Sequence, residues 1–399
     1  MIKIALKNLL RHKRRTILTF SILTVAIVYY IVIQGLLDGF EYESTKNFIN
    51  LESAHIRITS QKYSEENLEE RIKDYREIFE KLKKFNFIKG MCGRLKVIGT
   101  LDNGVDEYPV IITGIDPKKD GEVFGVLNYV EGPLKYEGIL IGNVIAEKFK
   151  VQKGDYLYLN FRDKNGAFVS KEFEIQEILN TPSFLLNNIQ VFVNINILQE
   201  IGNFKEEFSE IFLLTDNLNN TSNYKNKIAE VLNNYKVTSW QEEGKDYLSI
   251  SKTKKNFQVF FIFFIILIGV IGTVNTLMIA VFERIREIGT LKAIGMKDEE
   301  IMRMFLIEGF LIGLAGSISG IIFGCIINYF LIKYGIDWSP LLPKDINLGY
   351  RVLGRVKSNW NISSILISFI LGPISTIIAS YFPAKKAKNL TPAECLRWI

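Results

Sequence analysis

Residues 257–282 form an uncharged apolar run, FQVFFIFFIILIGVIGTVNTLMIAVF, and the charged segment 283–304, ERIREIGTLKAIGMKDEEIMRM, follows it directly. A second apolar run, FLIEGFLIGLAGSISGIIFGCIINYFLI, occupies residues 305–332 and contains one carboxylate, Glu308. Each run exceeds the roughly 20 apolar residues that are needed to cross a bilayer. Because every backbone polar group in lipid must be satisfied internally, both runs are predicted to be transmembrane helices.

The segment between the two runs carries five basic and five acidic residues. Such a density of charge cannot stay in lipid, so the segment is predicted to be a soluble hairpin on one side of the membrane. Glu283, Arg286 and Glu287 have helical spacing, and Gly295 is a natural helix stop before a restart near Asp298. Two interpretations remain open from this pattern: a plain solvated loop, or a short helix that docks on a cytosolic partner.

Two further apolar runs, at residues 17–37 and 361–382, bring the predicted number of spans to four, with Pro373 as a kink in the last. Residues 1–16 hold six Lys/Arg and no acid, which predicts an amphipathic helix on an anionic leaflet. With both termini on one side, fifteen Lys/Arg lie on that side and five in the loop 333–360. The positive-inside rule therefore places both termini in the cytoplasm.

The complete prediction is an α-helical membrane protein with four transmembrane helices and an α+β extracytoplasmic domain. The domain spans residues 38–256, where Leu68 and other apolar residues at spacings of three and four predict a helix over 64–85. Hairpins are predicted around Asn103-Gly104 and Asn165-Gly166. Stalk helices are expected near 40–50 and 241–256. The predicted parts are a basic helix at 1–16, spans at 17–37, 257–282, 305–332 and 361–382, an outer domain at 38–256, a charged segment at 283–304, an external loop at 333–360 and a cytosolic tail at 383–399.

Composition argues against several classes of function. The chain has only two histidines and three widely separated cysteines, so there is little material for a metal site or a catalytic triad. It contains no GxxxxGK[ST] phosphate loop, which indicates that it does not hydrolyse ATP itself. No basic stripe interleaved with aromatics is present, so nucleic acid is not expected as a partner. We therefore predict a subunit that is not an enzyme and has no bound metal.

Small residues and aromatics distinguish the spans from one another. The third span has small residues on one face, which permits close helix contact, either within one chain or between subunits. Glu308, in its first turn, is expected to reach water at the membrane surface. The first and second spans are rich in bulky aromatics, for which a lipid-facing surface is the simplest interpretation. The small residues predicted to pack helices are Gly309, Gly313, Gly316, Gly320 and Gly324.

The stretch VFERIREIGTLKAIGMKDEEIMRMFLIEGFLIGLAGSISG resembles the signature of the FtsX-like permeases, the MacB-type membrane subunits of ATP-binding-cassette (ABC) systems. The basic opening and the ending YFPAKKAKNLTPAECLRWI are also similar to that family. In the family, the charged segment is a coupling helix seated in a groove of the ATPase. The resemblance implies ATPase coupling by Glu283, Arg284, Arg286, Glu287, Leu291, Lys292, Ala293 and Gly295.

One span, a large outer domain and three further spans resemble the lipoprotein-releasing (LolC/LolE-like) branch. The resemblance implies a MacB-like periplasmic core domain, a cytoplasmic-membrane location, two copies of a cytosolic ABC ATPase and a second permease copy or homologue. ATP and magnesium are expected on the ATPase, and no cofactor on this chain. Lipoproteins are the implied substrate, with a periplasmic carrier as a further partner. Aromatics expected to contact the lipid anchor are Phe20, Tyr30, Phe260, Phe261 and Phe264.

Two alternatives remain: a permease for peptide or drug export, and a regulator of an envelope hydrolase. The carrier-recruiting member of the lipoprotein-releasing branch has a proline-bearing hook late in its outer domain. In this chain no proline lies between Pro182 and Pro340, so the hook cannot be transferred. Pro182 is the nearest candidate, and a weak one.

Overall fold

The computed structural model describes residues 13–64, 68, 70–245, 259–260, 263, 267, 270–271, 273–337 and 352–397. The chain divides into two compact units. We call residues 1–40, 252–337 and 355–399 the helical unit, and residues 41–251 and 338–354 the outer unit. Most of the predicted basic helix 1–16, most of the second span before residue 273 and much of the stalk at 241–256 lie outside the described residues.

The described residues of the outer unit form nine strands, and both hairpins predicted from Asn-Gly turns are confirmed among them. β2 pairs antiparallel with β3 around Asn103-Gly104, and β5 pairs antiparallel with β6 around Asn165-Gly166. The strands are β1 (Ile56–Ser60), β2 (Ile88–Asp102), β3 (Glu107–Ile115), β4 (Gly138–Gly142), β5 (Tyr156–Arg162), β6 (Phe168–Leu179), β7 (Gln190–Asn194), β8 (Glu210–Thr215) and β9 (Tyr235–Ser239).

The long strand β2 belongs to two layers of the outer unit. Its second half pairs with both β3 and β5, which closes a ring in the order β2-β3-β7-β4-β6-β5. Apolar residues that alternate along these strands, such as Leu157, Leu159 and Phe161, fill the ring. Its first half continues into the antiparallel order β2-β8-β1-β9. A second apolar cluster, containing Ile58 and Ile228, joins this layer to its helices.

Short helices connect and cover the strands, and the helix predicted over 64–85 is much shorter than expected. Ile72 donates its N–H to the carbonyl of Phe208 at 2.7 Å, so the backbone there is in an extended pairing. Tertiary pairing therefore overrides the apolar spacing before residue 75. The helices of this part are α2 (Tyr75–Leu82), α3 (Pro117–Val123), α4 (Asn143–Phe149), α5 (Phe184–Asn188), α6 (Ile195–Ile201), α7 (Thr221–Val231) and α8 (Trp240–Glu243).

The helical unit contains the long apolar helices. Among the described residues, three helices are long and apolar enough to cross a membrane: Thr16–Ser53, Asp298–Tyr334 and Ile362–Asn389. A shorter apolar helix, Thr273–Glu283, lies within the predicted second span, so four spans are not established. The helices here are α1 (Lys13–Phe48, followed by a π-turn at Ile49–Ser53), α9 (Thr273–Glu283), α10 (Ile285–Ala293), α11 (Asp298–Tyr334), α12 (Ile362–Asn389) and α13 (Pro392–Arg397).

Two predicted boundaries differ from the observed helix ends. The last long helix, α12, continues through Pro373 and Pro383 to Asn389, so the predicted tail begins inside a helix. The helix of the predicted third span, α11, already begins at Asp298, within the predicted charged segment. Acidic residues in the first turn of α11 favour this early start, because they interact well with the positive end of the helix dipole.

Candidate functional site

The charged segment forms a helical hairpin whose turns follow from its sequence. The chain breaks at Arg284 (φ −104°, ψ 9°), between α9 and α10. After α10, Gly295 adopts φ +100°. Its N–H donates to the carbonyl of Lys292 at 3.0 Å, and the N–H of Met296 donates to that of Leu291 at 3.1 Å. This pair of bonds is a Schellman motif, which requires the left-handed conformation that glycine adopts most easily.

The inner face of α10 is packed into an apolar cluster formed by α9, α11, α12 and α13. Ile285 and Ile288 are 1% exposed, and the cluster also contains Phe305 and Ala387. Gly289 lies so close to α13 that a Cβ at this position would be 2.5 Å from the Cβ of Cys395. Real Cβ atoms do not approach so closely, so this face of α10 requires a residue without a side chain.

A buried ion pair connects the start of α10 to α11. Nη1 of Arg284 donates to both carboxylate oxygens of Glu308, at 3.0 and 3.1 Å. The two side chains are only 6% and 4% exposed. The expectation that Glu308 reaches water is therefore wrong, because its carboxylate is enclosed with a cation instead. Sequence reasoning missed this pair because the partners are far apart in the chain.

Lys292 connects α10 to the end of α12. Its Nζ donates to the carbonyls of Lys388 and Leu390, at 2.6 and 2.7 Å, and pairs with Asp298 at 2.7 Å. A cation at a helix C-terminus satisfies carbonyls that have no partner within the helix. The Lys292 side chain is 6% exposed. This residue, assigned to ATPase coupling from the resemblance, therefore faces the interior of the hairpin.

The other predicted coupling residues divide between the two faces of α10. Arg284 is buried, Leu291 lies partly buried against the apolar cluster, and the Glu287 side chain is 41% exposed while it accepts a bond from Arg284 Nε. The remaining residues form what we call the exposed face, on which Ile294 is 79% exposed although the sequence analysis did not select it. The exposed face consists of Glu283, Arg286, Thr290, Ala293, Ile294 and Gly295.

The small residues of α11 lie at contacts with α1 and α12. A Cβ at Gly309 or Gly313 would meet Ser380 or Thr376 of α12. On α1, Leu23, Ile27 and Ile31 contact Gly316, Gly320 and Gly324 respectively. Thus all five predicted packing glycines make contacts within one chain.

The aromatics proposed for lipid contact are only partly described. Phe20 and Tyr30 on α1 are half-buried, and Phe260 is 57% exposed. Phe261 and Phe264 lie outside the described residues. No group of three or more His, Cys, Asp or Glu side chains that could hold a metal ion was found in the described part of the chain.

Comparison with known proteins found a family match that lies mostly within the helical unit. The profile of the FtsX-like permease C-terminal domain matches residues 259–392. LolC of Xylella fastidiosa, a lipoprotein-releasing system transmembrane protein, is 25% identical over 41% of this chain and 40% of its own length. LolE of Haemophilus influenzae, of the same system, is 24% identical over 94% of this chain and 93% of its own. MacB of Chlorobium luteolum, a macrolide export ATP-binding/permease protein, is 32% identical over 31% of this chain and 16% of its own.

The chain therefore contains an FtsX-like permease domain and has homologues among the LolC/LolE and MacB proteins, as the resemblance predicted. The matched part covers well under two thirds of the LolC and MacB relatives. The extracellular domain of the ABC-type transporter YknZ from Gram-positive bacteria aligns with 46% of the chain at 16% identity, with a TM-score of 0.33. The apolar helices and the permease domain point to a multi-pass membrane protein.

Proposed function

We propose that this protein is the membrane subunit of an ABC transporter of the lipoprotein-releasing type. A separate ATPase chain moves the charged hairpin, and the helices use this movement to extract lipoproteins from the outer leaflet of the cytoplasmic membrane. In this proposal both termini are cytosolic and residues 38–256 are extracytoplasmic. ATP and magnesium bind the ATPase, which is present in two copies, and a second permease copy or homologue completes the assembly.

The observation that carries the proposal is the division of α10 into two faces. Its exposed face combines charged side chains with Ile294, which is 79% exposed. An exposed apolar side chain with charged neighbours can supply the apolar centre and the polar rim of a protein contact. Its inner face is fixed by Arg284, Lys292 and the close approach of Gly289 to Cys395. One face of α10 is therefore accessible to a partner, and the other is held by contacts with neighbouring helices. This arrangement suits the transmission of force.

The contacts of the inner face determine which helices would move with α10. Arg284 is bonded to Glu308 on α11, and Lys292 to the last carbonyls of α12. Displacement of α10 by the ATPase would therefore move α11 and α12 together. Such a mechanism needs different contacts in two states and no catalytic side chain.

The extent of the LolE match supports the proposal of a lipoprotein-releasing role. The similarity to LolE extends over 94% of this chain, whereas that to MacB covers 31%. A MacB-like export permease and a regulator of an envelope hydrolase remain the alternative outcomes of the test. Purification from native membranes, before and after addition of ATP with magnesium, separates the three. Release of an acylated lipoprotein on ATP addition is the expected result.

Charge reversal on the exposed face tests the coupling role. The double variant Arg286→Glu/Ile294→Asp should weaken ATPase binding by at least about tenfold, or about 1.4 kcal/mol, because it changes the contact surface and leaves the inner face intact. The measurement is co-purification of the ATPase and its stimulated hydrolysis rate.

Lys333→Glu provides a matched control, since it reverses a charge at the opposite end of α11. Unchanged ATPase binding in the double variant would refute the assignment of the exposed face. A co-purified hydrolase or outer-envelope conduit, in place of a lipoprotein, would favour one of the alternatives.

A further inference from the structure

The outer unit contains an open groove of about 980 Å³ on the outside of the strand ring. Its floor is formed by β2 and β5, at residues 97–100 and 160–162, and one wall includes Arg71 and Lys73. Leu159 and Phe161 point into the apolar core of the ring. Because side chains alternate along a strand, Asn160 points to the opposite side, into the groove.

Asn160 is one of several residues in the described part of the chain with a buried polar side-chain atom that has no hydrogen-bond partner. The residue is 6% exposed, and its Oδ1 has no hydrogen-bond partner in the described part of the chain. Leaving a buried acceptor unpaired is costly, because the group has lost its hydrogen bonds to water. Native proteins retain few such groups, so Oδ1 of Asn160 is available to a donor that a ligand brings into the groove.

The surroundings of Asn160 restrict the chemistry of that ligand. Among the described residues, four basic and four acidic side chains line the groove, so the lining selects neither a polyanion nor a polycation. Two large apolar side chains, Ile98 and Phe168, also line it and are 61% and 69% exposed. The groove thus offers apolar contacts, charges of both signs and one unpaired amide oxygen.

We propose that this groove binds an extended polypeptide segment. A peptide N–H is a donor of the kind that Oδ1 of Asn160 lacks, and an extended segment presents such N–H groups along its length. Apolar side chains of the segment would contact Ile98 and Phe168, as pockets for alternate side chains do in known peptide grooves. The inference does not depend on the lipoprotein-releasing role, because any secreted or envelope protein could supply such a segment.

The test uses the full chain in lipid nanodiscs and the fluorescein-labelled peptide Gly-Ser-Leu-Asn-Phe-Ser-Thr-Gly as the probe. Fluorescence anisotropy of wild-type protein should show saturable binding. Asn160→Leu should raise the dissociation constant by about tenfold or more. Because this change also removes an unpaired buried acceptor, the thermal midpoint of the free protein should stay the same or rise. Weaker peptide binding without a loss of stability would show that Asn160 contacts the ligand and does not merely maintain the fold.

A second variant and a matched control complete the experiment. Ile98→Ser/Phe168→Ser should weaken peptide binding comparably, since both side chains are exposed groove residues. Val105→Ser changes an apolar residue that is 87% exposed outside the groove lining and should leave binding unaltered. The proposal is overturned if wild-type protein shows no saturable binding, if both groove variants bind normally, or if Val105→Ser lowers affinity as much as they do.

Discussion

Two buried arginine–carboxylate pairs, one in each unit, differ in what surrounds them. In the outer unit, Arg94 donates from Nε and Nη2 to Asp120 at 2.7 and 3.0 Å, and its guanidinium carbon lies 3.5 Å from the centroid of the Phe124 ring. In the helical unit, Arg284 is paired with Glu308 and also donates to Glu287, whose side chain is 41% exposed. Both side chains of the first pair are fully buried, whereas Arg284 of the second pair also bonds to a carboxylate that is partly exposed.

The difference indicates different roles for the same chemistry. Burial by itself lowers the pKa of the Arg94 guanidinium, but the adjacent Asp120 carboxylate more than offsets this, so the pKa is raised above its ordinary value. Arg94 thus stays charged inside the domain and fixes β2 to α3. The Arg284 pair instead joins two helices of a hairpin that has one exposed face. We infer that the first pair maintains a fold and that the second transmits movement.

The largest expected effect is on the first, fully buried pair. Arg94→Met leaves the Asp120 carboxylate buried without its cation, which should destabilise the protein by about 3–5 kcal/mol. The corresponding fall in the outer unit's thermal midpoint is about 10 °C or more. Differential scanning calorimetry of the full chain in detergent measures it.

The double variant Arg94→Met/Asp120→Leu serves as the control for this experiment. It removes both charges and should recover most of the lost stability, because no buried charge is then left uncompensated. A single variant as stable as wild type would show that the pair does not maintain the fold.

An intermediate effect is expected at the second pair. Arg284→Met removes a charged hydrogen-bond donor from Glu308, worth about 1.5–3 kcal/mol, and separates α10 from α11. ATPase binding should persist while stimulated hydrolysis and substrate release fall together, since the exposed face is unchanged.

Arg303→Met is the matched control for Arg284→Met, since Arg303 is exposed on the same hairpin. It should retain both binding and coupling. If Arg284→Met kept the wild-type rates of stimulated hydrolysis and substrate release, the inference that this pair transmits movement would be wrong.

The smallest expected effect concerns His55, which lies just before β1 in the outer unit. Its Nδ1 accepts a hydrogen bond from the backbone N–H of Thr215 at 3.1 Å, and burial lowers its pKa below the ordinary value. The unfolded chain therefore binds a proton more readily than the folded one. This contribution to stability is present above the unfolded pKa of about 6.5 and is lost as pH falls through the lower folded pKa.

Scanning fluorimetry measures the thermal midpoint of both proteins as a function of pH. As the pH is lowered from about 6.5, the midpoint of the wild-type protein should decrease more than that of His55→Asn. The asparagine keeps an acceptor near Thr215 but does not titrate. Parallel pH profiles for the two proteins would exclude His55 as a contributor.

Several elements follow from local signals in the sequence. Long apolar runs predicted helices, Asn-Gly pairs predicted both hairpins, and Gly295 predicted the end of α10. The Gly154-Asp155 turn was also predictable: Gly154 has φ +94°, and Asp155 Oδ2 accepts from the N–H of Gln152 at 2.7 Å. Each of these features depends on residues within one turn or one helix, so residues that are neighbours in the sequence are sufficient to predict it.

In contrast, the contacts between distant side chains depend on tertiary packing. Glu308 lies 24 residues from Arg284, and Lys292 lies 96 residues from the carbonyl of Lys388 to which it donates. The helix predicted over 64–85 was shortened for the same reason, since Ile72 pairs with Phe208 on a distant strand segment. These contacts form when separate elements pack together, and no local pattern of charge or hydrophobicity specifies the partner. The inner face of α10 and the unpaired oxygen of Asn160 are therefore products of the fold.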